Sequence, residues 1–370
     1  MSGGLAGVRE RLWWSGTPTA SDRLLGLPLL AAEGLFRAGV ALRGALLDAG
    51  LLGAATAAVP VVSIGNLAVG GAGKTPVTLA VAGRLRAAGR RPAILSRGYG
   101  AERGDERVVA DGEGVRLGAA EGGDEPVLMA RRLPGCPVLC GPDRARLAGR
   151  AADLGADVLL LDDGFQHRRL RRDLDVVVLD AGNPFGNGHC LPYGPNREPL
   201  AALRRAGLVW LTHADRAGAA ALERLRALAR DATGRDPVES RHAPRDLADA
   251  ALDRSFPLSR LAGRRVGLLT GVARPASVRR SVEELGAAVV AESSFPDHHR
   301  FDRDEVDGAL RASLEAGAEV VVTTEKDAVR LPEACRAEDR LRVLRIDAEV
   351  TRGEELLAEA LRAALAGAAR

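Results

Sequence analysis

A strand, a glycine-rich loop and a helix follow one another directly near the start of the chain. Val61-Val62-Ser63-Ile64 is a short β-branched run, Gly65-Asn66-Leu67-Ala68-Val69-Gly70-Gly71-Ala72-Gly73-Lys74-Thr75 is the loop, and an apolar helical pattern starts at Pro76. This order constrains the fold more than any other feature, because such a unit belongs in an open α/β sheet with its loop at the carboxyl edge. Its chemistry is equally restricted. Successive backbone N–H groups and the positive end of the helix hold phosphates, and glycines let the main chain approach them closely. Lys74 would reach the terminal phosphates and the Thr75 hydroxyl would ligate Mg²⁺. The loop departs from GxxxxGK[ST], since Ala68 stands where the first glycine belongs. A glycine-rich turn that happens to end in Lys-Thr is the bland alternative, and the flanking strand and helix argue against it.

Composition sharpens the case for Lys74. The 52 basic residues include only two lysines, Lys74 and Lys326. The arginines reflect a general bias, so a retained lysine suggests a site that needs a compact ammonium on a flexible stem. Aromatic residues are only 3% of the chain and the formal charge is +3; base-stacking platforms are scarce, and no nucleic-acid partner is expected. Cys136, Cys140, Cys190 and Cys335 show neither CxxC spacing nor a disulfide framework, which fits a reducing compartment. His189 and Cys190 are adjacent, but no further ligand at zinc-like spacing accompanies them, and they read as loop residues.

From Val59 onward short β-branched runs alternate with longer Ala/Leu/Arg stretches, which predicts an α/β fold. Strands are expected at residues 61–64, 93–96, 138–140, 158–161, 176–179 and 208–212. Their continuous apolar character suits a P-loop NTPase-like parallel sheet with helices on both faces. Residues 230–261 turn polar and irregular, with Gly234, Pro237, Pro244 and Pro257, and a lobe boundary is placed there. A second, smaller α/β lobe is expected to follow, with strands at 266–270, 289–291, 320–324 and 341–346 and a last helix over 353–366. The expected division is an N-terminal apolar helix region over 1–58, a P-loop lobe over 59–235 and a second lobe over 236–370 that closes over the active site.

In the N-terminal region Trp13 and Trp14 precede a leucine-rich stretch interrupted by Asp22, Arg23, Pro28, Glu33, Arg37 and Arg43. The purest apolar run is far shorter than the roughly 18 to 20 residues of a spanning helix, and Pro28 and Glu33 argue against a signal peptide. Two readings stay open: a helix docked on the domain, or an amphipathic helix resting in the bilayer interface, where Trp and Arg collect. Pattern alone favours the docked helix.

Four further segments carry candidate chemistry. Val158-Leu159-Leu160-Leu161-Asp162-Asp163 is an apolar strand ending in two carboxylates. Phosphoryl transfer needs an acid at a neighbouring strand end to hold the metal or its water shell, although a strand-end Asp is often only a turn cap. Gly164-Phe165-Gln166-His167-Arg168-Arg169 follows at once. Gly122-Gly123-Asp124-Glu125-Pro126 opens a helix, as an ordinary cap or as a source of a general base and a metal ligand. Phe295-Pro296-Asp297-His298-His299 holds two of the six histidines. Thr323-Thr324-Glu325-Lys326-Asp327 holds the other lysine, and reads either as a base-reading loop or as a solvated, salt-bridged turn.

Taken in order, these pieces resemble the lipid A 4'-kinase (tetraacyldisaccharide 4'-kinase) family. The resemblance rests on Ser63-Ile64-Gly65-Asn66 with Gly70-Gly71-Ala72-Gly73-Lys74-Thr75-Pro76, Leu95-Ser96-Arg97-Gly98-Tyr99-Gly100, Gly123-Asp124-Glu125-Pro126 and Gly141-Pro142-Asp143-Arg144. It continues through Asp162-Asp163-Gly164-Phe165-Gln166-His167, Phe185-Gly186-Asn187-Gly188, Leu191-Pro192-Tyr193-Gly194-Pro195, Arg197-Glu198-Pro199, Phe295-Pro296-Asp297-His298 and Thr324-Glu325-Lys326-Asp327-Ala328. The family pattern GNxxxGGxGKTP removes the Ala68 anomaly, and Phe165 in place of Leu is a small departure.

The resemblance implies transfer of the ATP γ-phosphate to the 4'-hydroxyl of a tetraacylated glucosamine disaccharide 1-phosphate, giving the lipid A precursor of lipopolysaccharide biosynthesis. The enzyme would be peripheral or monotopic at the cytoplasmic face of the inner membrane, with no obligate protein partner. Ala68, Val69, Gly70, Gly71, Ala72 and Gly73 with Lys74 and Thr75 would cradle ATP, and Thr75, Glu125, Asp162 and Asp163 would organise Mg²⁺. Asp124 would take the proton of the sugar hydroxyl, with His298 polarising or orienting it across the gap between lobes, so that closure assembles the site around bound substrates. Arg144, Gln166, His167, Arg168 and Arg197 are candidates for phosphate or sugar contacts. Two other classes compete. A P-loop switch or metallochaperone would be expected to carry Cys or His metal motifs, which are missing, and a soluble P-loop ligase leaves the apolar N-terminus unexplained.

Overall fold

In a computed structural model, which describes residues 5–14, 19–98 and 105–367, the apolar runs become parallel strands. Tyr99 and Gly100 of the Leu95-to-Gly100 motif lie outside the described residues. The chain folds into two units that interleave in sequence: Met1–Ser96, Asp143–Arg241 and Ala348–Arg370 form one, Arg97–Pro142 and His242–Asp347 the other. This differs from the division expected at residue 235. Residues 97–142 belong with the second unit and the C-terminal helix returns to the first, because packing follows sheet edges rather than chain order.

In the first unit the strands run Pro92–Ser96, Val158–Asp162, Val61–Gly65, Leu174–Asp180, Leu208–Thr212 and the start of Val238–Asp249, all parallel. Ile64 lies in register with Asp162, so the glycine loop and the paired aspartates leave the sheet side by side at its carboxyl edge, where open α/β sheets bind ligands. Every residue of Val61–Gly65 and Val158–Asp162 is buried, as expected for parallel strands covered on both faces. Phe165, Val177, Leu179, Val209, Leu211 and Leu225 pack together over one face. The final helix, Glu354–Gly367, buries Leu357, Ala360, Leu361 and Ala364 and is tied to the loop helix Lys74–Ala87 where Arg84 Nε donates to Glu354 Oε1 at 2.6 Å.

The second unit carries parallel strands in the order Ala288–Ser294, Arg265–Thr270, Val320–Thr324 and Leu341–Arg352. Leu269, Phe301, Val306, Val321, Leu341 and Val343 form its core. Val138–Cys140, a strand as expected, pairs antiparallel with Arg107–Ala110. That short partner was invisible because four residues carry no readable period. The polar stretch expected to be irregular contains the 12-residue strand Val238–Asp249. Its charged side chains are matched across to Leu341–Arg352: Arg241 Nε donates to Glu349 at 2.9 Å, and Arg345 Nη2 to Asp246 at 2.6 Å. Opposite-charge cross-strand pairs stabilise a sheet without an apolar face.

The N-terminal region is two helices, Leu5–Trp14 and Ala20–Asp48. A capping box between Thr19 and Asp22 starts the second, which continues through Pro28. Pro28 lies in the third turn, and the helix is anchored by buried Glu33, which accepts from the Cys190 N–H at 2.8 Å and pairs with His189 Nδ1 at 2.8 Å; the first helix is held by Trp13 Nε1, which donates to the Pro192 carbonyl at 3.2 Å. Glu33, which reads as a charge interrupting an apolar run, is an anchor. Among the described residues no helix is long and apolar enough to cross a membrane.

Candidate active site

The glycine loop owes its shape to close packing beneath it. A Cβ on Gly65 would lie 2.6 Å from both the backbone nitrogen and the Cβ of Phe165, so only glycine lets the loop pass over the segment that carries Asp162 and Asp163. At the other end Gly73, with φ +80°, precedes the helix, and no side chain caps its first turn. A helix start of this kind is an anion site. Val69 N–H donates to the Pro195 carbonyl at 2.8 Å, and Thr212 Oγ1 to the Ala72 carbonyl at 2.9 Å, so neighbouring segments hold the loop from both sides.

Lys74 Nζ lies 3.3 Å from Asn66 Oδ1 and 3.5 Å from Asp163 Oδ1, and Arg197 donates to both oxygens of Asp163 at 2.8 and 2.9 Å. Burial pushes the Asp163 carboxyl up, yet the charges of Lys74 and Arg197 prevail and hold it below its ordinary value. Asp163 has φ +52°, an uncommon conformation for a residue with a side chain, of the kind that gathers at functional sites. Asp162 is buried and accepts from Thr78 Oγ1 and Ser96 Oγ, both at 3.2 Å. The two aspartates therefore differ, one embedded in the sheet and one turned to the loop lysine. Thr75, Asp162 and Asp163 fit Mg²⁺, which takes one or two carboxylates, a hydroxyl and the phosphates of its nucleotide. Among the described residues no three His, Cys, Asp or Glu side chains gather as a metal cage.

Of the candidates for substrate contacts, Gln166 Nε2 donates to the Asn66 carbonyl at 3.0 Å, Arg197 is committed to Asp163, and Arg168 pairs with Asp48 of the long N-terminal helix. His167 is half-buried; desolvation, then the charges of Arg144 and Arg172, pull its pKa down to about 4. The imidazole is neutral at physiological pH.

The second unit brings the remaining candidates together. Asp124 begins the helix Asp124–Arg132, buried, after Gly123 at φ +86°. His298 Nδ1 donates to Asp124 Oδ2 at 3.0 Å. The expectation that these residues face each other across a gap between lobes is corrected: both lie in one unit, because residues 97–142 fold with the second set of strands. The hydrogen bond to Asp124 pulls His298 up from its ordinary value, against burial and with help from Asp297. His298, like Asp163, has positive φ, at +61°. Next to Asp124, Glu125 Oε1 accepts from Lys326 Nζ at 2.6 Å. Of the two readings left open for the Thr324–Asp327 segment, the solvated turn does not hold: Asp327 and Glu325 are buried, Thr324 Oγ1 donates to Asp327 Oδ2 at 2.7 Å, and Arg132 Nη1 donates to Glu325 at 2.8 Å. This network presents Lys326 to Glu125. Arg330, which sequence reasoning passed over, is part of it; nothing local distinguishes it from the other arginines.

A central strand, an uncapped glycine loop, Lys74 beneath it and paired aspartates on the adjacent strand define a P-loop phosphotransferase of the α/β class. The profile of the tetraacyldisaccharide-1-P 4'-kinase family matches residues 25–366. Tetraacyldisaccharide 4'-kinase of Anaeromyxobacter sp. (strain Fw109-5) is 64% identical over 360 residues, 97% of each chain, and that of Syntrophus aciditrophicus is 42% identical over 337 residues, 88% of this chain and 90% of the other. A crystal structure of LpxK from Aquifex aeolicus in complex with ATP is similar with a TM-score of 0.75 and 29% identity, covering 92% of this chain and 99% of that one. The chain belongs to the tetraacyldisaccharide-1-P 4'-kinase family.

Proposed function

We propose that the glycine-loop unit holds ATP, and that Asp124 with His298 acts on the 4'-hydroxyl of an acylated glucosamine disaccharide 1-phosphate. The protein is an ATP-dependent tetraacyldisaccharide 4'-kinase. The observation that carries the division of labour is the 3.0 Å bond between buried Asp124 and His298, outside the loop unit and on a strained histidine. A sugar hydroxyl is a poor nucleophile at neutral pH and must lose its proton as the new P–O bond forms. Asp124 accepts that proton, while the hydroxyl oxygen bonds to the γ-phosphorus and the bond to the β-phosphate oxygen breaks, releasing ADP. His298 fixes the direction of the Asp124 carboxylate. Lys74 meets the charge on the phosphates, and Arg197 holds Asp163 in place for it. Thr75, Asp162 and Asp163 would hold Mg²⁺ together with the nucleotide, and the ion when bound would supply further charge neutralisation.

The lipid substrate places the work at a membrane, and the long N-terminal helix supports a peripheral or monotopic seat on the cytoplasmic face of the inner membrane. At about 100° per residue, Leu24, Leu27, Leu35 and Leu42 share one side of Ala20–Asp48, whereas Asp22, Gly26 and Glu33 lie opposite. Leu24 is 69% and Leu35 79% exposed, while Asp22 and Glu33 are buried. An exposed leucine stripe on a docked helix is the surface an interfacial anchor offers.

The test is transfer of label from γ-labelled ATP to detergent-dispersed disaccharide phosphate, with a double-mutant cycle on Asp124→Asn and His298→Gln. Each single change is expected to lower kcat by about 10²- to 10⁴-fold, and the pair by little more than the worse of the two. Absence of labelled lipid would refute the substrate; multiplicative losses would refute the pairing.

A further inference from the structure

Arg330 lies just past the short helix Glu325–Ala328, and its side chain is 1% exposed. Its guanidinium spreads over four backbone and side-chain partners: Nε donates to the Lys326 carbonyl at 2.8 Å, Nη1 to the His299 carbonyl at 3.1 Å, and Nη2 to the Gly271 carbonyl at 3.1 Å and to Asp327 Oδ1 at 2.9 Å. Nε is also 3.5 Å from Asp124 Oδ2, the oxygen that receives the His298 bond. Asp327, which orients the guanidinium, is itself fixed by Thr324 Oγ1 at 2.7 Å and by the Gly271 N–H at 3.0 Å.

The loop that carries His298 needs such a hold. A side-chain-bearing residue at φ +61° persists only where its surroundings over-determine it. The turn is closed by His299 N–H on the Pro296 carbonyl at 3.1 Å, and the next link outward is Arg330 on the His299 carbonyl. A buried ion pair is weak evidence for stability, since desolvation offsets its attraction. What this guanidinium adds is geometry, because a planar fork can hold several acceptors in different directions and an ammonium cannot.

We propose that Arg330 is the positioning residue of the Asp124–His298 pair: one guanidinium rests against the Asp124 carboxylate and grips the backbone of the loop that presents His298. The inference rests on the reading of that pair as the group acting on the hydroxyl. Arg330 touches neither substrate, so its loss acts on kcat and leaves both KM values alone.

The experiment is steady-state kinetics of the full chain with ATP and detergent-dispersed disaccharide phosphate, with thermal melting alongside. Arg330→Lys is expected to lower kcat by roughly 10- to 100-fold, as a displacement of about 1 Å does, with KM for either substrate within about twofold of wild type. In an Asp124→Asn background the same change should remove no further turnover, while its effect on melting stays as large as in the wild type. If Arg330→Lys melts below the assay temperature, Arg330→Met with Asp327→Asn, which leaves no lone buried charge, takes its place with the same split expected. Wild-type kcat in the Arg330 variant, a change confined to KM, or losses that multiply with Asp124→Asn would overturn the proposal. Full turnover in Asp124→Asn alone would overturn the reading of the pair and this inference with it, and is recognisable because position 330 is then unchanged.

Discussion

Replacing Lys74 separates charge from packing at the glycine loop. Its side chain is 11% exposed, with Nζ 3.5 Å from Asp163 and 3.3 Å from Asn66. In Lys74→Ala, Asp163 keeps both hydrogen bonds from Arg197, so no carboxylate is stranded. The loss is one partly solvated ion pair, worth about 1 kcal/mol or less, which in a chain of this size moves Tm by about 2 °C or less. The effect on turnover is of another order. A preorganised donor that meets charge in the transition state contributes about 10²- to 10³-fold in kcat, or about 2.7–4 kcal/mol. Lys74→Arg keeps the charge but places a wider, planar group where an ammonium fits, and an equally severe loss is expected. Label transfer to lipid, measured beside thermal melting, checks both. Near-normal turnover of the Arg variant would refute the need for a compact ammonium, and collapse of Tm in the Ala variant would show that Lys74 is a packing residue.

Changing Leu24, Leu35 and Leu42 together to Ser should abolish sedimentation with anionic phospholipid vesicles and leave Tm and ATP binding unchanged, since these side chains face away from the domain; undiminished sedimentation would count against the membrane seat. His167 makes stability depend on pH on the acid side. The unfolded chain titrates near the ordinary value of 6.5 and the folded one near 4, so between those values only the unfolded chain binds the proton. The contribution of neutral His167 is whole above about pH 6.5 and is lost as pH falls toward 4. His167→Gln should therefore flatten the fall of Tm across that window, and an unchanged slope would show that the imidazole is not held neutral.

Much of the phosphate chemistry was legible locally. A glycine loop between strand and helix declares itself through backbone geometry that few other residues permit, and Lys74 stood out because lysine is so scarce here. Apolar runs such as Val158–Asp162 announced parallel strands because burial on both faces leaves no room for polar alternation. The strand Val238–Asp249 escaped notice for the converse reason: its charges are satisfied by Arg345 and Glu349 on a partner some hundred residues away. Pro28 and Glu33 read as interruptions of an apolar run, yet both lie within one continuous helix, and the partners that let Glu33 be buried come from the distant His189–Cys190 loop.

What the sequence by itself determined is the kind of chemistry: the residues able to cradle a phosphate, and the short list of acids and histidines able to move a proton. Tertiary structure decided which of them meet. Asp124 and His298 are bonded although 174 positions separate them, and they share a unit because residues 97–142 fold against strands that come much later in the chain. Arg330 carries no signal in the sequence, since two of its four acceptors, the carbonyls of Gly271 and His299, come from distant segments. The physical reason is one of range. Backbone conformation and burial pattern are set by neighbours along the chain, whereas the direction of a buried carboxylate is set by whatever the fold brings within about 3 Å of it.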